Sequence, residues 1–126
     1  MIQSHTPVIV GTGTPFNVVG AWAELIAEVT ATSVWSLFQA SRTTSFPSGT
    51  VMQSLNFELG IGPLNEERRV WKSMFLSTTG SELEYDDSWW VRYVPFNFPK
   101  GARITCRTAT IGSVVQLDAV QLQLYS

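Results

Sequence analysis

Leu55-Asn56-Phe57-Glu58-Leu59-Gly60-Ile61-Gly62-Pro63 is the stretch on which the fold turns. Apolar Leu55, Phe57 and Leu59 alternate with polar Ser54, Asn56 and Glu58. Successive side chains of a strand point to opposite faces, so this period of two describes a strand buried on one side only. Gly60 and Gly62 then suit a strand exit, where the backbone needs a positive φ or a close approach that a Cβ would block.

Working outward, further short strands are expected at Val34 to Gln39, Arg69 to Leu76, the aromatic and β-branched Trp89 to Val94, and Arg103 to Thr108, which alternates again. A long closing strand is expected from Val114 to Tyr125, with Val120, Leu122 and Leu124 on one face. Its phase shifts near Ala119, which predicts a bulge or burial on both sides. Breaker clusters separate the runs, at Ser45 to Gly49, Gly60 to Pro63, Ser77 to Ser81 and Pro99-Lys100-Gly101. Gly101 suits the position of a tight turn that requires positive φ. Strands and breakers at this spacing predict an all-β, single-domain antiparallel sandwich or barrel.

One segment reads two ways. Trp22, Leu25, Ile26 and Val29 have helical spacing, while Ala23, Leu25, Ala27 and Val29 alternate as in a strand. Glu24 and Glu28 would repel each other as an i, i+4 pair on a helix, and the Thr-rich exit favours extended chain, so a strand is expected. Residues 1–19 read differently from residues 20–126. Thr6 to Pro15 mixes short β-type residues with breakers, so an extended N-terminal arm is expected outside the sandwich domain. Its apolar residues Val8, Ile9 and Val10 are candidate interface residues.

The composition narrows the chemistry. The chain has 126 residues, 44% hydrophobic and only 14% charged, with a net charge of −2. An average domain is about 25% charged, so part of this surface is expected to be covered by other chains. The broad basic face of a nucleic-acid binder is missing. One cysteine, Cys106, and one histidine, His5, fall short of the ligands a zinc site takes. A Cys106–His5 nucleophile pair is disfavoured, because a mid-strand thiol is more often buried and inert. No segment approaches the ~20 apolar residues of a membrane helix, and no signal-peptide pattern opens the chain. Synthesis in a cytoplasm is therefore expected. No cofactor, metal or catalytic residue is expected. Glu82, Glu84, Asp86 and Asp87 read as a solvated loop rather than a glycosidase pair.

Two stretches carry a resemblance. The first is Glu58-Leu59-Gly60-Ile61-Gly62 followed by Glu66-Glu67. The second runs Pro95-Phe96-Asn97-Phe98-Pro99-Lys100-Gly101-Ala102-Arg103-Ile104-Thr105-Cys106-Arg107, and Gly20-Ala21-Trp22 with Ile26-Ala27 fits the opening strand. Together they resemble a recurring domain of tailed-bacteriophage virions. The resemblance implies a jelly-roll-like β-sandwich that decorates or cements a capsid, or sits in a tail or fibre, without enzymatic activity. It implies the major capsid protein as partner, a place on the capsid surface, and a homo-oligomer, trimer ahead of dimer. The motif residues are Gly60, Gly62, Glu66, Glu67, Pro99, Gly101, Arg103 and Arg107.

Arg103 and Arg107 are an even number apart and share a face on a regular strand. Glu58, Glu66 or Glu67 could pair with them, and an internal ion pair is favoured over partner binding. Of the five tryptophans, Trp89 and Trp90 are adjacent. On a strand they diverge, one inward and one outward. The outward ring is expected to anchor an interface, a role in which Trp is enriched. The alternative is stacking on a sugar, which would make the chain a receptor- or glycan-binding module of a tail or fibre.

Overall fold

The computed structural model describes residues 1–11, 18–41, 52–76, 89–112 and 116–126. Their strands are β1 (Ile2–Gln3), β2 (Val8–Gly11), β3 (Ala23–Ile26), β4 (Trp35–Ser41), β5 (Met52–Ile61), β6 (Arg68–Leu76), β7 (Trp89–Val94), β8 (Ile104–Gly112) and β9 (Gln116–Tyr125). There is no helix among the described residues. The expected all-β class holds. The expected Ser45 to Gly49 and Ser77 to Ser81 turns and the Glu82 to Asp87 loop lie outside the described residues.

The strands form two antiparallel sheets. One has the order β1-β9-β4-β7, with β2 also paired to β9; the other has the order β3-β8-β5-β6. Only β5 and β6 are consecutive neighbours within the second sheet. Every other connection from β2 onward passes from one sheet to the other. That is the winding of a jelly-roll sandwich, in which the strands that pair are distant in sequence.

The period-two pattern builds the core. In β4, Ser36, Phe38 and Ala40 are buried, while Trp35, Leu37 and Gln39 on the other side are half-buried. Phe57 and Leu59 of β5 are likewise buried. Phe38 and Phe57 meet between the sheets as stacked rings, 3.9 Å apart and 3° from parallel. Val120, Leu122 and Leu124 of β9 complete this layer, as their alternation predicted. The expected irregularity near Ala119 is a bulge. Val8 pairs with Val120 but Val10 pairs with Leu117, so β9 carries one extra residue there.

The two-way segment is a short strand, and its ambiguity has a cause. Glu24 pairs with Thr105 but Ile26 with Ile104, so β3 bulges. Leu25 and Ile26 are both buried in succession, which breaks strict alternation and mimics a helical stripe.

The arm requires correction. Residues 1–11 are not an arm outside the sandwich. Ile2 pairs with Tyr125, and Gln3 with Leu124. The β2 pairing continues along the same edge of β9. Val10 is fully buried in the core, so it is not an interface residue. Val8 packs against the core from a half-buried position. Only Ile9 of the three stays exposed, at 60%. His5 fills the gap between β1 and β2: the Leu122 N–H donates to its Nε2 at 2.9 Å, and Gln121 Nε2 donates to its carbonyl. That engagement removes His5 from any pairing with Cys106, which is buried on β8 in the other sheet.

Candidate functional site

Both sequence motifs lie at one end of the β3-β8-β5-β6 sheet. The β5–β6 turn uses its glycines differently. Gly62 has φ 132°, and a Cβ there would lie 2.6 Å from the Glu66 carbonyl oxygen. Gly60 instead allows a close approach: a Cβ would come within 2.8 Å of the Trp22 ring. In the β7–β8 turn the Ala102 N–H donates to the Pro99 carbonyl, and Gly101 takes φ 87°. All three glycine and proline readings hold. The turns face each other across an open cleft of about 960 Å³, lined by Ile61, Gly62, Glu66, Glu67, Gly101 and Arg103 among others.

Arg103 lies just before β8 and spans this cleft. Its Nε donates to Glu24 Oε2 at 2.6 Å, and its Nη1 to Glu67 Oε1 at 3.1 Å and to the Gly62 carbonyl at 3.2 Å. The pairing with Glu24 and Glu67 raises the guanidinium pKa further. The Glu67 carboxyl is held below its ordinary value, first by its own backbone N–H and then by Arg103. Glu66 is exposed and makes no ion pair among the described residues.

The second arginine completes a row across the sheet. Glu58 pairs in register with Arg107 on one side and Lys72 on the other. Arg107 Nη2 lies 2.7 Å from Glu58 Oε1, and Arg69 reaches Glu58 Oε2 at 3.5 Å. On its other side the Arg107 guanidinium lies 4.2 Å from the Trp22 ring centroid, a cation–π contact. Aromatic ring, cation, anion and cation therefore follow one another from the residue before β3 across β8, β5 and β6.

This arrangement is a clamp. Both arginines are consumed by carboxylates that the fold itself supplies, so the internal ion pair is the reading that the geometry supports. Complete burial pushes the Cys106 thiol pKa far upward. Of the expected partners, Glu58 and Glu67 serve and Glu66 does not. Glu24, Arg69 and Trp22 were not foreseen in this role. The even spacing of Arg103 and Arg107 pointed to one face, but only the non-local register brings β3 beside β8.

The opposite outer face has another character. On the β1-β9-β4-β7 sheet, β4 presents Trp35, Leu37 and Gln39 outward, and β7 presents Val91 and Tyr93, exposed by 47% and 55%. From β9 come Gln121, Gln123 and Tyr125, and the edge adds Ile2 and Ile9. Trp35 stacks on Tyr125 at 3.7 Å and 5°, with Tyr93 6.0 Å from Trp35. The Tyr125 hydroxyl donates to Gln123 Oε1. No charged side chain belongs to this face among the described residues. Trp89 and Trp90 pair with Ser41 and Ala40 in β7, but their side chains lie outside the described residues. The aromatic residues that the structure does place here are Trp35, Tyr93 and Tyr125. No local signal marked them: Trp35, Leu37 and Gln39 are no more polar than Ser36, Phe38 and Ala40, and packing against the other sheet decides which set is buried.

No protein-family model matches the chain, and no curated protein matches it. Among solved structures it is similar to the Eiger TNF from S. frugiperda, at 8% identity over 100% of this chain and 92% of that one, with a TM-score of 0.49. At that level the likeness carries no argument, and the jelly-roll assignment rests on the strand order.

Proposed function

We propose that this chain is a non-catalytic structural component of a bacteriophage virion, a cement or decoration protein on the capsid surface. The observation that carries the reading is the contrast between the two outer faces. On one, Arg103 and Arg107 are spent on Glu24, Glu58 and Glu67. The other is aromatic and, among the described residues, without charge, a surface suited to burial against protein. The motif resemblance supplies the virion. The mechanism is mechanical: a homo-oligomer bridges major capsid protein subunits, and many modest contacts must break together before the shell opens. Co-sedimentation with capsid shells lacking decoration proteins tests this. Saturable binding, with a rise in the temperature at which the shells open, is the expected result; no binding refutes it.

A second reading has an observation of its own. The Trp35–Tyr125 stack with Tyr93 beside it offers aromatic surface among amide side chains, as a sugar platform would. A glycan-binding module of a tail or fibre would then be the function. Selective retention on a glycan array, lost in Tyr93→Ala, would establish it in place of the cement reading.

A further inference from the structure

We propose that copies of this chain associate with one another through the outer faces of their β1-β9-β4-β7 sheets, with Trp35, Tyr93 and Gln123 inside the contact. The inference rests on reading the chain as a self-associating structural module, and it names the surface.

Charge selects the partner. Burying an ion without a counter-ion costs several kcal/mol in general, so a surface carrying ordinary charged residues would be penalised against a face that offers none in return. The chain's own second sheet is such a surface, with Lys72 exposed on it and in no ion pair among the described residues. A second copy of the charge-free face meets no such penalty.

Polar chemistry selects the same partner. The polar groups of the face are chiefly amides, and Gln39 and Gln121 are direct cross-strand neighbours at its centre. A carboxamide is both donor and acceptor. It can therefore satisfy an identical group opposite, as a symmetric contact between identical patches requires.

Area sets the extent. Strands about 4.8 Å apart, four across and about six residues long, cover roughly 400 Å² in projection. A stable contact takes about 800 Å² of accessible surface from each partner. The corrugated face must therefore be used whole, up to Ile9 at its edge, which is more than a ligand on the aromatic corner would cover. Sheets packing face to face is also the geometry that already builds the core of each copy.

Light scattering on the chromatographed protein at roughly 50 µM, well above the Kd of a stable oligomer, should give twice the 14.0 kDa chain mass. Tyr93→Glu and Val91→Lys, both at exposed positions, should give the single-chain mass with unchanged circular dichroism. Met74→Glu, on the other sheet and 44% exposed, should leave the assembly intact. Hydroxyl-radical labelling of the unaltered protein adds a readout that no variant can confound. Tyr93 should become several-fold more reactive on dilution, while Met74 does not change. A single-chain mass for the unaltered protein overturns the inference. So does an assembly that survives both face variants, or a Tyr93 reactivity independent of concentration. An assembly that forms through this face but ignores capsid shells would refute the cement reading and leave the interface standing.

Discussion

At the residue scale, two glycines in the two turns separate conformational strain from steric space. Gly62 has both a positive φ and a backbone oxygen where a Cβ would go, whereas Gly101 has a positive φ and open space around it. Gly101→Ala should therefore cost only the left-handed penalty, about 1 kcal/mol. Gly62→Ala adds a clash that no rotamer relieves, and should cost about 3 kcal/mol. Urea denaturation of the two variants checks the order, and equal losses would contradict it. Glu58 is the residue on which the clamp depends. Its side chain is only 7% exposed and faces two arginines that are themselves 28% and 53% exposed. Fully buried pairs lose about 3–5 kcal/mol when broken, and exposed ones less than 1. Glu58→Gln falls between, at about 2 kcal/mol. Arg69→Gln, which removes the longer and more exposed contact, should cost less than 1 kcal/mol.

At the element scale, β1 and β2 decide how the edge of the larger sheet closes. Val10→Ala should cost about 1–2 kcal/mol through the lost core methyls, and removal of residues 1–11 should lower the melting temperature of the isolated protein clearly. An unchanged transition would mean that the edge is not part of the cooperative unit. His5 adds a pH dependence. Its Nε2 accepts from the Leu122 N–H, so the neutral ring carries its proton on Nδ1, 2.7 Å from the Thr6 carbonyl. Burial lowers its pKa, only partly opposed by that carbonyl. The unfolded chain then takes up the proton first as pH falls. His5 contributes its full stability above about pH 6.5, and that contribution is lost progressively below it, down to the folded-state pKa. His5→Asn should flatten the stability profile in this window. The element scale is also where sequence legibility ends. Strands β5, β8 and β9 could be read from their own alternation, and β4, β6 and β7 from apolar, aromatic and β-branched runs set between turn clusters. The Val8–Val10 run is too short for either, and its burial is decided by β9, more than a hundred residues later in the chain. The arginine clamp was half legible for the same reason. Spacing within one strand relates Arg103 to Arg107, but nothing local relates either of them to Glu24 or Trp22.

At the scale of the whole molecule, the strand order sets how the chain must fold. Among the described residues only the β5–β6 pair is a hairpin; β9 pairs with β1, β2 and β4, which precede it by most of the chain. Even the chain ends are hydrogen-bonded, the Ser126 N–H donating to the Met1 carbonyl at 3.0 Å. Loop-closure entropy must therefore be met before most native contacts can form, which places the protein among slow two-state folders, in the millisecond-to-second range. The β5–β6 hairpin is the one element that forms locally, and β8 joins it in the same sheet while supplying Arg107 to Glu58. A nucleus built on β5, β6 and β8 follows, with the β1–β2 edge added last. Val10→Ala should then accelerate unfolding and leave the refolding rate almost unchanged, whereas Leu59→Ala in β5 should slow refolding. Stopped-flow tryptophan fluorescence across a urea series measures both arms. Equal slowing of refolding by the two substitutions would show that β2 docks on β9 before the transition state, and would move the nucleus to the larger sheet.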